Sequence, residues 1–296
     1  MSKGLLDPKV DFVFKNIFGS PNHPEILISF LNATLKAKKK IVNVDIKKTD
    51  IEKQYIEDKY SRLDVKATTS NDEIINIEIQ LKNENNMVKR SLYYLSKMYE
   101  EQLNEKEDYS KLVRTVCINI LNFKYLKTDN FHTGYRFKEI ESNEELTDIM
   151  EVHFIEIPKL QDSSDEKDML VAWTEFLKDP ESEKVRGLEL SIEEIRQAKD
   201  ELIRMSNDST QRELYDMRAN SLRDKMSELN AAERKGIEKG REEGREEGRK
   251  EGRKEGIEEG RKEEKIKIAR NMKLSGLDTN TIAKITNLSE DEIGKL

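Results

Sequence analysis

From Ile75 to Lys82 the chain alternates without a break, with Ile75, Ile77, Ile79 and Leu81 on one side and Asn76, Glu78, Gln80 and Lys82 on the other. A period of two belongs to a β-strand, because successive side chains leave the backbone on opposite faces. The apolar row demands a covering layer, so this segment commits the chain to a sheet that carries helices. The preceding stretch, Arg62-Leu63-Asp64-Val65-Lys66-Ala67, alternates in the same way and sets Arg62, Asp64 and Lys66 on a common face. Between the two, Thr68–Glu73 includes Ser70, Asn71 and Asp72, side chains suited to a turn. The two strands read most economically as a hairpin, with Ile41–Ile46 as a further strand before them.

Around this hairpin the period returns to 3.6. Residues 7–35 read as helical: Phe14, Ile17 and Phe18 share a face, Gly19 interrupts, and Ile26, Leu27, Phe30 and Leu31 resume. Residues 86–103 form a second helical stretch, with Leu92, Leu95, Met98, Tyr99 and Leu103 as its apolar stripe. Leu112–Leu121 is nearly all apolar and suits a strand buried on both faces. Val152–Pro158 is one more strand, and from Asp165 to about Lys235 the pattern is helical again. The fold class expected is α/β: a mixed central sheet flanked by helices, followed by a mostly helical C-terminal region. The domains expected are a sheet domain over 1–180, a helical extension over 181–235, a charged linker over 236–262 and a small helical tail over 263–296.

Composition supports that division. Aromatic residues are frequent as far as Phe176, and Tyr215 alone follows them; seven of the 13 glycines fall between Gly236 and Gly260. The charged fraction is 38% against 35% hydrophobic, which leaves a sizeable core to the first part of the chain. The net charge of −7 neither announces nor excludes nucleic acid, since patches rather than totals bind phosphate. A single cysteine, Cys117, rules out an internal disulfide and Cys-x-x-Cys zinc motifs, and in its apolar run it reads as a small buried hydrophobe. The start lacks an apolar signal core and no stretch of about 18 apolar residues occurs, so the protein is expected to be cytoplasmic with no membrane partner. His23, His132 and His153 show no ligand or triad spacing and read as structural.

The polar row of the hairpin is where chemistry can sit. If the two strands pair, Asp64 and Glu78 lie opposite or diagonal, with Cβ atoms about 5–8 Å apart. Two carboxylates so placed repel unless a cation lies between them, and Mg²⁺ accepts one or two carboxylates along with water and phosphate oxygens. Such a metal would polarise a phosphodiester and activate a bound water. Gln80, about 6.5 Å further along the same face, could orient that water, and Lys82 or Lys66 could stabilise the pentacovalent state. The plain alternative is that the row is the solvent face of an antiparallel strand, and spacing alone does not decide between the two.

The stretch Asp58–Ala67 followed by Asn76-Ile77-Glu78-Ile79-Gln80 resembles the Rpn family of recombination-promoting nucleases and transposases, within the PD-(D/E)XK superfamily. Asp11–Gly19, Lys89–Tyr94, Asp108–Leu112 and His153–Lys159 agree with it, and the resemblance covers residues 7 to about 180. It implies a PD-(D/E)XK restriction-endonuclease-like core and a DNA endonuclease dependent on Mg²⁺, with Mn²⁺ as the alternative ion, linked to recombination, mobile elements or phage defence. By position Asp64 and Glu78 match the metal-binding acids. Leu63 replaces the motif's proline, and Gln80 stands where the superfamily has lysine, so a fixed positive charge is missing and catalysis is slow or borrows Lys82. Asp11 and Lys15 on the first helix could serve as a further acid and a phosphate contact, or could be an exposed helix face. Arg90, with Tyr93 and Tyr94, could clamp phosphate and stack on a base, or anchor its helix to the sheet. The alternative function is a weak or inactive nuclease fold that binds DNA or associates with itself.

Gly236, Gly240, Gly244, Gly248, Gly252, Gly256 and Gly260 recur every four residues among Arg, Lys and Glu. On a helix they form a stripe drifting by about 40° per step, each costing about 1 kcal/mol relative to alanine. A helical linker that orders on self-association is therefore expected, making the protein a homo-oligomer through its C-terminal region. After it come two or three short capped helices, with Ser289 and Glu292 matching a capping box. The last helix is short and acidic, so packing or partner binding is expected there rather than base readout.

Overall fold

The computed structural model describes residues 4–37, 39–47, 65–165 and 167–296. The chain divides into two compact units, Met1–Asp224 and Lys225–Leu296. In the first, α1 (Asp11–Phe18) and α2 (Pro24–Leu35) precede β1 (Val44–Lys47), β2 (Val65–Thr69) and β3 (Ile74–Gln80). Then come α3 (Met87–Glu100), β4 (Thr115–Leu121), β5 (His132–Lys138), β6 (Glu145–Glu156), α4 (Met169–Lys178), α5 (Glu183–Glu189) and α6 (Glu193–Asn207). α7 (Ser209–Leu274) follows, then α8 (Thr279–Thr286) and α9 (Glu290–Gly294).

The described strands form one six-stranded sheet in the order β1-β2-β3-β4-β6-β5. β1, β2 and β3 are antiparallel neighbours, β3, β4 and β6 run parallel, and β5 returns antiparallel along β6. The expected hairpin is present, with Val65 opposite Ile77 and Ala67 opposite Ile75. All seven residues of β4 are buried, as a strand covered on both faces requires. The row Ile75, Ile77 and Ile79 joins Val116, Ile118, Ile120 and Ile155 in a core with Phe14 and Phe18 of α1, Phe30 of α2, Trp173 of α4 and Leu202 of α6. A smaller cluster lies across the sheet, where Met87 and Leu95 of α3 meet Cys117, Leu121, Val152 and Phe154. α6 packs in the same core as the sheet through Ile195, Ala198, Leu202 and Met205.

Several boundaries differ from the expectation for physical reasons. β1 begins at Val44 rather than Ile41, because the Asn32 side chain takes both backbone groups of Ile41 off the ladder, at 2.8 and 2.9 Å. β5 was not anticipated: Thr133, Tyr135 and Phe137 do alternate, but Gly134 and three ionisable residues obscure the pattern. β6 starts at Glu145 instead of Val152, since its exposed first half pairs with β5 alone. On α3 the inward stripe is Met87, Ser91, Tyr94, Leu95 and Met98, and the expected Leu92 is 48% exposed. Gly19 ends α1 because a Cβ there would lie 2.6 Å from the Lys15 carbonyl and 3.3 Å from Val65 of β2.

In the second unit the glycine run lies within α7, and a Cβ added to any of those glycines would meet nothing within 4 Å. The end of α7 packs with α8 and α9 through Ala269, Ile282, Leu288 and Ile293. The turn after α7 uses Gly276 at φ 81°, and α8 is capped by Asp278. The Ser289–Glu292 capping box is formed, and Lys273 Nζ donates to the carbonyls of Ile293 and Gly294. Among the described residues no helix is long and apolar enough to cross a membrane.

Candidate active site

The polar row of β3 does not face solvent. Asn76 is fully buried and Glu78 is 1% exposed, because α3 crosses that face of the sheet. The solvent-face alternative is therefore overturned for these two residues. Gln80 and Lys82, nearer the open end, are half-buried. Parallel register sets Asn119 beside Glu78 and Leu121 beside Gln80, so the carboxyl ends of β3, β4 and β6 finish together.

Two polar contacts pin α3 to this face. Arg90 Nε donates to Glu78 Oε2 at 3.1 Å, with the guanidinium 5.2 Å from the centre of the Tyr94 ring. One residue on, Ser91 Oγ donates to Asn119 Oδ1 at 2.9 Å, and Asn119 Nδ2 donates to the His153 carbonyl at 3.1 Å. Arg90 thus anchors its helix through Glu78. Burial pushes the Glu78 carboxyl above the usual range, against the opposing pull of Arg90 and Asn76. Glu78 Oε1 and Asn76 Oδ1 have no hydrogen-bond partner among the described residues. Burial also pushes the Cys117 thiol up to about 12, which fits a packing residue and not a nucleophile.

Lys66 is the cross-strand partner of Asn76 and so shares the Glu78 face; its Nζ lies 3.7 Å from Glu101 Oε2. Lys15 is half-buried on α1, the helix whose apolar side covers the opposite face of the sheet. Asp11, on the same helix, pairs with Arg218 at 2.9 Å. Asp64, with Arg62 and the rest of 48–64, lies outside the described residues. No cluster of three or more His, Cys, Asp or Glu side chains suited to a metal occurs among the described residues. The donor set that is described, one carboxylate oxygen and one amide oxygen left bare in a buried site, fits an oxygen-seeking divalent cation better than a softer metal.

The histidines read as structural do meet. His132 Nε2 lies 2.9 Å from His153 Nδ1 with the rings stacked, and His153 Nε2 lies 2.6 Å from Glu151 Oε1. Arg114 and Arg136 also donate to Glu151, and Arg114 reaches Glu73 as well. Sequence spacing could not reveal this network, because it depends on β5 lying beside β6. Among its members Glu151 is held at about 2, where hydrogen bonds and charge outweigh its burial, and His132 is lowered by burial to about 4.

A helix, an antiparallel β-meander, a crossing helix and parallel strands, with an acid facing the crossing helix from β3, make a PD-(D/E)XK restriction-endonuclease-like core. A family model described as PD-(D/E)XK nuclease family transposase matches residues 8–232, and the chain belongs to that family. A second model, described as the C-terminal helix-turn-helix domain of the Rpn/YhgA-like nuclease family, matches residues 262–296. The match places a helix-turn-helix in the tail, where the short acidic last helix led to an expectation of packing or partner binding rather than base readout. No curated protein and no solved structure matches the chain.

Proposed function

We propose that the protein is a divalent-metal-dependent DNA endonuclease whose site forms around Glu78, near the carboxyl ends of the parallel strands. One observation carries the reading: a carboxylate 1% exposed that keeps an oxygen with no partner among the described residues, and an amide oxygen two residues away in the same state. Leaving such a group unsatisfied costs about 1–3 kcal/mol or more, and a cation with oxygen ligands removes that cost. Asp64 is the second acid of the proposal. A β2 strand continued by one residue, in the register that sets Val65 opposite Ile77, would bring position 64 opposite Glu78.

Mg²⁺ or Mn²⁺ held by these acids would supply a water of lowered pKa and neutralise a phosphodiester oxygen. The remaining tasks fall to the chain's own side chains. Arg90 fixes the Glu78 rotamer through its 3.1 Å contact. The Gln80 carboxamide, next along the face and half-buried, orients the attacking water. Lys82 and Lys66 bring positive charge to the phosphate as negative charge builds on it. The helix-turn-helix match supports a further DNA contact in residues 262–296.

A second reading, a nuclease fold that binds DNA without cleaving it, is favoured by the Arg90 guanidinium already held against one Glu78 oxygen. Supercoiled plasmid incubated with Mg²⁺ or Mn²⁺ separates the two. The endonuclease reading expects nicking by the unaltered protein and its loss in Asp64→Ala and Glu78→Ala. Equal nicking by all three sinks the site, and no nicking by any of them favours the binding protein.

A further inference from the structure

The segment between β4 and β5 begins where the candidate site ends. Asn122 N donates to the Gln80 carbonyl at 2.9 Å, so the first residue after β4 is tied to the last of β3. From there the chain is clamped by a buried ion pair. Glu156, 1% exposed at the end of β6, accepts from the backbone amides of Tyr125 and Leu126 through Oε1 and from Lys159 Nζ through Oε2. Lys159, with a side chain 7% exposed, also donates to the carbonyls of Leu126 and Thr128, at 2.7 and 2.6 Å. Phe123, Tyr125 and Leu126 pack into the α3-side cluster, and the Tyr125 hydroxyl lies 3.4 Å from the Val88 amide in the first turn of α3.

Apolar packing would suffice to seat a loop. A carboxylate and an ammonium both withdrawn from water are a costly way to do so, and such pairs are better explained where a position has to be specified. What they specify here is the backbone from Tyr125 to Thr128, flanked and interrupted by Lys124 and Lys127. Both lysines are exposed, and neither meets a carboxylate among the described residues. Lys82, in the connection after β3, and exposed Lys89, in the first turn of α3, lie at the same end of the sheet. Exposed acids also leave that end of the sheet: Glu84 after β3, Asp129 before β5, and Asp162 and Asp165 after β6.

We propose that residues 122–128 form a DNA-backbone contact of this site, with Lys124 and Lys127 each pairing with a phosphate of a duplex laid across the strand ends. The inference rests on the nuclease reading for its partner but not on cleavage for its test. Lysines act as point charges toward phosphates and fix the register of a duplex without reading its sequence. The loop's rigidity matters because a phosphate held off by a mobile lysine would not be aligned for attack.

Binding of a labelled duplex to the full-length protein, without divalent metal, is to be followed by anisotropy across a salt series. Each phosphate contact removed lowers the slope of log K against log salt by about 0.9. Lys124→Ala combined with Lys127→Ala should therefore flatten the slope by about 1.8, with equal effect on unrelated sequences and an unchanged melting temperature. Lys138→Ala, on the exposed edge strand β5, should leave the slope alone. A double variant that keeps the slope of the unaltered protein overturns the proposal, as does a flattening of the same size in Lys138→Ala or a failure to bind the duplex at all. A flattened slope in a protein that never nicks plasmid would sink the endonuclease reading and leave this contact standing. Nicking with an unchanged slope would do the reverse.

Discussion

Replacing Arg90 by alanine strips Glu78 of its ion-pair partner while leaving the charge in place. Oε1 already has no hydrogen-bond partner among the described residues, and the side chain is 1% exposed. Breaking a fully buried ion pair on one side costs roughly 3–5 kcal/mol. Arg90 keeps a quarter of its side chain in water, so the pair is partly screened and about 2–3 kcal/mol is the better expectation. Losing the contact with the Tyr94 ring adds about 0.5–1 kcal/mol. Urea unfolding read by fluorescence suits the question, because Trp173 is the chain's one tryptophan and is fully buried in the unit that carries the site. The expected loss is about 3 kcal/mol at unchanged m-value. Adding Glu78→Gln to Arg90→Ala should recover a large share of it, because the uncompensated charge is what destabilises. A loss below about 1 kcal/mol, or a double variant whose cost is the sum of the singles, would refute the view that burial makes this pair matter.

Acid should act through the edge strand. His132 is lowered to about 4 in the fold, so the unfolded chain binds the extra proton between about 6.5 and 4 and stability falls as pH drops through that window; His132→Phe should flatten the profile of unfolding free energy there. Glu151, held at about 2, adds stability that is present above its ordinary value and fades as pH falls from about 4.5 toward 2, so that variant should keep this lower limb. Glu156→Gln leaves Lys159 buried without a counter-charge and should cost about 3 kcal/mol, with proteolysis appearing first between residues 122 and 131. Ser289→Ala removes one half of the capping box and should cost the second unit about 1 kcal/mol, read as loss of amide exchange protection in α8 and α9.

The hairpin and its apolar face were legible because alternation is a local property: Ile75, Ile77 and Ile79 face the main core as the period requires. The fate of Asn76 and Glu78 was not, since burial of a polar row depends on which helix crosses it. The inward face of α3 was misjudged for the same reason. Ser91 outranks Leu92 there because Asn119 waits opposite, and no helical periodicity records that. The network of His132, His153 and Glu151 needs β5 beside β6, and the clamp of Glu156 and Lys159 needs a loop returning across the strand ends. Family resemblance singled out His153–Lys159 without a reason, and the contacts of Glu156 and Lys159 supply one.

The most direct test of the account is whether Glu78 holds a divalent ion. Mn²⁺ titrated into the full-length protein, with free ion measured by electron paramagnetic resonance, should show a bound population that weakens in Glu78→Gln and in Asp64→Asn while Trp173 fluorescence stays native. The same stoichiometry and affinity in all three proteins would contradict it.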